Sequence, residues 1–189
     1  EIMPSLVGSE MCIRDRPWLV TGFMHLDGYM DVCDAVLSRR DLATRQRILK
    51  DSHCGAFAVI CMVLLAMGQW SLFLAAEDVS WLGLLLIPAA TRACAGLAVL
   101  GLRPMGTSQY AAMGPARGGY GAALWVLLAL SVGLPLWLDG SFGPLAAAAG
   151  YGLAVWYGFR NLDGMSGDIS GFALTLGELC GCGAAILWR

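Results

Sequence analysis

Residues 56–76 read AFAVICMVLLAMGQWSLFLAA, an apolar run with no charged side chain. At 1.5 Å per residue such a helix is roughly 30 Å long, the thickness of the hydrocarbon core of a bilayer. Four further apolar stretches follow it: 80–102, which carries Pro88 and Arg92, then 120–138, 142–159 and 172–188. Upstream, Pro17 to Met24 is the end of one more apolar run. The chain of 189 residues is 58% apolar and only 14% charged, against roughly 45 to 50% apolar in a soluble domain. These features predict an all-α, polytopic transmembrane helix bundle of five to six membrane helices within one domain, 17–189. Residues 1–16 show mixed polarity and neither a basic start nor an apolar centre, so they read as an artefactual, non-native tail rather than a signal peptide.

The connections alternate in charge. Segment 25–55 holds Arg39, Arg40, Arg45, Arg47 and Lys50, segment 103–119 holds Arg103 and Arg117, and segment 160–171 holds Arg160. The turns 77–79 and 139–141 contain neither Lys nor Arg. The positive-inside rule therefore puts the first three on the cytoplasmic side of the membrane. Within 25–55, Ser38-Arg-Arg-Asp41 has the form of a capping box. Leu42, Arg45, Ile48 and Leu49 then form a short amphipathic stretch suited to an anionic lipid surface. A net charge of −2 argues against a nucleic-acid partner. Seven cysteines without paired CxxC units read as buried thiols.

Against this background the acidic stretch His25-Leu-Asp27-Gly28-Tyr-Met-Asp31-Val-Cys-Asp34 stands out. On a helix, positions 27, 31 and 34 share one face. Three like charges so close raise one another's pKa and read either as a solvated acidic helix face or as ligands of a shared cation, for which hard carboxylate oxygens suit Mg²⁺, Mn²⁺ or Ca²⁺. The glycine-rich segment Asp163-Gly-Met-Ser166-Gly167-Asp168-Ile-Ser-Gly171 brings a further carboxylate to the same side of the membrane. Lys50-Asp51-Ser52-His53-Cys54-Gly55 reads either as an interfacial helix start capped by Asp51 or Ser52, or as an anion site at a helix N-terminus. Arg92, deep in an apolar run, needs a carboxylate, a cavity or a phosphorylated ligand, and Glu178 in the last span is its candidate structural partner.

Taken in order, His25-x-Asp27-Gly28-x-x-Asp31-x-x-Asp34, Lys50-Asp51-Ser52-x-x-Gly55, Thr91-Arg92, Gly164-x-Ser166-Gly167-Asp168-x-x-Gly171 and Leu176-Gly177-Glu178 resemble the cobalamin synthase family, the adenosylcobinamide-GDP ribazoletransferases. The resemblance covers nearly all of 20–180, and against it the chain reads as N-terminally truncated. Ala35, His53 and Ala58 depart from the family pattern, and Asp163, where a glycine is usual, is not counted as a ligand. The resemblance implies a membrane-bound, Mg²⁺-dependent transferase. It would join α-ribazole, or α-ribazole 5′-phosphate, to adenosylcobinamide-GDP and release GMP. The implied roles are metal ligation by Asp27, Asp31, Asp34 and Asp168, and proton transfer by His25, with Asp31 also counted as catalytic. Lys50, Ser52, Arg92, Ser166 and Gly167 would contact phosphate. A homo-oligomer is compatible with this reading, and Tyr110, Tyr120 or Trp156 are conceivable neighbours of the corrinoid. Two rivals share parts of the pattern. A CDP-alcohol phosphotransferase would place Ala-Arg where this chain has Asp31-Val32, and a divalent cation transporter would keep its carboxylates near the bilayer midplane.

Overall fold

Each of the five apolar stretches becomes a helix, because a segment in hydrocarbon must satisfy its backbone hydrogen bonds internally. The computed structural model describes residues 23–76, 79–106 and 120–188. The expected tail and Tyr110 lie outside them. Seven helices are present among the described residues: α1 (Met24–Leu37), α2 (Leu42–Ile48), α3 (Ala56–Leu74), α4 (Trp81–Gly101), α5 (Gly121–Leu138), α6 (Gly143–Leu162) and α7 (Gly167–Leu187). Four of them, α3, α4, α5 and α7, are long and apolar enough to cross a membrane. The 20-residue α6 is as long but less apolar, since it ends in Phe159-Arg160-Asn161.

The two classes of connection separate to opposite ends. At the arginine-free end, Ser80 caps α4 and also donates to Asp139 at 2.8 Å, and Gly143 packs against Ala185. At the arginine-bearing end, Arg103 pairs with Asp163. There the Met105 amide donates to the Met165 carbonyl at 2.8 Å, and the Met165 amide to the Arg103 carbonyl at 2.9 Å. Helix α6 therefore runs the height of the bundle despite its weaker hydropathy.

Helix α7 is central. More than half of its apolar window is buried, against about a tenth for α3 and α5. Its partner α6 approaches through small residues: a Cβ on Gly177 would lie 2.8 Å from the Ala147 carbonyl oxygen, and one on Gly181 would lie 2.7 Å from the Ala147 methyl. Close backbone approach of this kind holds helices together where lipid removes the hydrophobic drive between them. The outer faces of α3 (Ile60, Leu64, Met67) and α5 (Trp125, Leu130, Trp137) are exposed, as lipid-facing surfaces are.

Three local expectations are corrected. Asp41, not Ser38, caps α2, accepting from the Thr44 amide at 3.1 Å and its hydroxyl at 2.7 Å. Ser38 instead closes α1, its hydroxyl donating to the Ala35 carbonyl at 2.7 Å. The N-cap of α3 is Gly55 rather than Asp51 or Ser52. Finally, α7 starts at Gly167, not at 172, because the Ser166 hydroxyl accepts from the Ile169 amide at 3.3 Å and opens the helix there. Asp168 consequently stands on the first turn of a helix instead of in a loop.

Candidate active site

The site is built where α1 crosses the start of α7. A Cβ on Gly28 would lie 2.8 Å from the Asp168 carbonyl oxygen, and one on Gly171 would lie 3.1 Å from that of His25. Two glycines, one on each helix, let the backbones touch, and the carboxylates flanking them are drawn together. Asp27 is exposed at this crossing, while Asp31, Asp34 and Asp168 are half-buried. Burial, then repulsion from Asp27, Asp168 and Asp34, pushes the Asp31 carboxyl up from its ordinary 3.8 to about 6. Among the described residues none of the four carboxylates forms an ion pair. Asp34 also fills the space beside the glycine that caps α3: a side chain at position 55 would occupy the place of its carboxylate.

His25 lies deeper. Its carbonyl accepts from the Thr175 hydroxyl at 3.3 Å. Burial and the nearby Arg92 charge lower the imidazole pKa, while Glu178 opposes them. Arg92 is ion-paired to Glu178, to which the Thr91 hydroxyl also points. This pair stands ten residues along α7 from Asp168, about 15 Å by helical rise. Glu178 is thus the carboxylate partner that Arg92 required, as the sequence had offered.

Lys50 and Ser52 are exposed in the connection leading to Gly55. Beside them Asp51 and His53 pair at 2.6 Å, the carboxylate held below its ordinary pKa by hydrogen bonds from His53 and the imidazole raised in return. Ser166, buried, sends its hydroxyl toward Asp168 at 3.4 Å as well as capping α7, and Gly167 is exposed at the same helix start. Asp163 ends α6 in a left-handed conformation and pairs with Arg103. Tyr120 lies exposed just before α5, whereas Trp156 on α6 stacks under Arg160 at 5.3 Å.

Sequence reasoning missed the spatial roles of Gly28, Gly55 and Gly171, and of Arg45 and Gln46, which reach the end of α6. The adjacency of Gly28 to Asp27 was the available signal. For a divalent cation the donor chemistry fits: hard, unpaired carboxylates with no counter-charge of their own. As placed, however, no three His, Cys, Asp or Glu side chains among the described residues converge closely enough to hold an ion.

The chain matches the family described as Cobalamin-5-phosphate synthase (CobS) over residues 16–186. It belongs to that family. Relatives named adenosylcobinamide-GDP ribazoletransferase agree with this. That of Clostridium perfringens is 35% identical over 174 residues, 87% of this chain and 68% of the relative. One from Clostridium botulinum is 33% identical over 197 residues, 97% of this chain and 76% of the relative. A third, from Thiobacillus denitrificans, is 37% identical over 168 residues, 84% and 64% respectively. No solved structure matches the chain. As a member of the cobalamin-5-phosphate synthase family the chain is a membrane transferase of late cobalamin biosynthesis, which places that reading ahead of the phosphotransferase and transporter rivals.

Proposed function

We propose that the chain joins α-ribazole or its 5′-phosphate to adenosylcobinamide-GDP with release of GMP, at a Mg²⁺-dependent site on the cytoplasmic face of the inner membrane. The supporting observation is the Gly28–Gly171 crossing, which sets α1 against the start of α7 so that Asp31 feels Asp168 and Asp168 feels Asp27 at the arginine-bearing end of the bundle, with Asp34 further along α1 beside Gly55. In the reaction a ribose hydroxyl oxygen of the ribazole forms a bond to the cobinamide-linked phosphorus. The bond from that phosphorus to the GMP phosphate oxygen breaks, GMP leaves with the electron pair, and the hydroxyl proton passes to a base.

Asp27, Asp31, Asp34 and Asp168 are the residues to hold Mg²⁺, which when bound neutralises charge on the pyrophosphate oxygens. His25, kept neutral by burial and by Arg92, has a free imidazole lone pair for the proton. Lys50 supplies an exposed cation and Ser52 a hydroxyl for the phosphates on the approach to the carboxylates. The amides at the start of α7, Gly167 among them, face the same end and suit an anion. Arg92 reaches a phosphate only by exchanging its Glu178 partner, so it serves the site first by its charge on His25. Cytoplasmic sidedness follows from the arginines at this end.

Purified protein with Mg²⁺ is expected to release GMP from adenosylcobinamide-GDP only when α-ribazole or its phosphate is added, and Asp31→Ala to abolish release, as read by chromatography of the nucleotide. GMP release indifferent to ribazole, or full activity in Asp31→Ala, overturns the reading.

A further inference from the structure

The two halves of the acidic site come from opposite ends of the chain, and the short helix α2 joins them. It follows α1 after residues 38–41. From it the Gln46 side-chain amide donates to the Leu162 carbonyl at 2.8 Å, and the Arg45 Nη1 donates to Asn161 Oδ1 at 3.0 Å. Leu162 is the last residue of α6, so its carbonyl belongs to the set that no helical amide can satisfy. From the other side, Arg103 pairs with Asp163 and the backbone of 103–105 pairs with Met165. The connection 163–166 is therefore gripped on both flanks. It carries two positive φ angles, 58° at Asp163 and 153° at Gly164, and a Cβ on Gly164 would sit 2.7 Å from the Met105 Cα. Asp168 follows two residues after this connection.

We propose that Arg45 and Gln46 are positioning residues, which set Asp168 against the α1 carboxylates by fixing the end of α6. The proposal rests on the cation-dependent reading above. Its geometry is specific: the helix that carries the donors is tethered to the one that carries Asp27, Asp31 and Asp34, and the acceptors immediately precede the connection to Asp168. Arg45 Nε is moreover buried without a hydrogen-bond partner. Leaving a guanidinium nitrogen unsatisfied is costly, and the Nη1 contact to Asn161 is the hydrogen bond that holds this side chain at the end of α6.

The test uses the purified chain in detergent, with free Mn²⁺ followed by electron paramagnetic resonance. Outer partners that orient ligands typically change metal affinity about 10-fold or more when removed, and a weakening of that size is expected in Gln46→Ala and Asn161→Leu. Asn161→Asp keeps the acceptor for Arg45 and should bind as the parent does. In the absence of metal Asn161→Asp should unfold at the parent's temperature and the other two slightly below it, each having lost one hydrogen bond, and half-saturating Mg²⁺ for GMP release should move with the Mn²⁺ affinity while the rate at saturating Mg²⁺ is kept. Parent-like Mn²⁺ binding in Gln46→Ala overturns the proposal. So does a loss of binding that tracks lowered metal-free stability in all three variants, or a parent that binds no Mn²⁺. A parent that binds Mn²⁺ but releases no GMP sinks the transferase reading and leaves the positioning intact.

Discussion

Asp31 feels the other three carboxylates at once, and its titration reports on the whole cluster. With an ordinary value of 3.8 raised to about 6 in the fold, the folded chain keeps a proton in that interval which the unfolded chain has lost. The Asp31 contribution to the stability of the metal-free protein is therefore most favourable below the interval, falls as pH rises through it, and carries the full cost above about 6. Thermal unfolding in detergent should show this decline in the parent and a flatter profile in Asp31→Asn. Added Mg²⁺ should raise the unfolding temperature above pH of about 6 and do little below about 4, where the carboxyl is protonated. Identical profiles for parent and Asp31→Asn would contradict the assignment. At this same scale, two residues with evident charges turned out to serve one another: Arg92 and Glu178 pair, and the sequence had left open whether the arginine met a carboxylate or a phosphate.

At the scale of the element, the crossing of α1 and α7 is the feature most exposed to a single methyl group. In Gly28→Ala the new Cβ would meet Asp168 backbone atoms at 2.8 and 2.9 Å, and backbone cannot rotate away as a side chain can. Overpacking of this kind costs about 1–3 kcal/mol, and the helices must separate where the carboxylates meet. Gly28→Ala is expected to lower the unfolding temperature and to abolish GMP release while circular dichroism stays helical. Gly101→Ala, with nothing within 4 Å of its new methyl, is the matched control and should keep full activity. Equal activity in the two variants would show that the crossing does not matter for the chemistry.

For the molecule as a whole, the prediction concerns sidedness. Against the expectation of buried thiols, Cys54 and Cys180 are exposed, and Cys54 lies beside the carboxylate end, immediately before Gly55. With Cys12 and Cys180 replaced, a membrane-impermeant maleimide should modify Cys54 in inside-out bacterial vesicles and not in right-side-out ones. Labelling only from outside would invert the topology inferred from the arginine-bearing connections.

The helices, their order and the division of the connections into two ends were legible from the residues, because helix formation in hydrocarbon is a local necessity and the Lys and Arg distribution is a property of the connections themselves. The carboxylates 27, 31, 34 and 168 stood out as candidates, since carboxylates are rare in so apolar a chain. What the chain could not disclose were contacts that depend on which helix lies against which: the Thr175 hydroxyl on the His25 carbonyl, 150 positions away, the glycine-to-backbone crossing beneath Asp168, and the hold of α2 on the end of α6. The start of α7 was misplaced for a related reason, a glycine-rich run being equally at home in a loop until Ser166 caps it and α1 packs over Gly171. Local backbone energetics decide where helices form, and only the fit of small residues and polar partners brought in from afar decides which side chains meet.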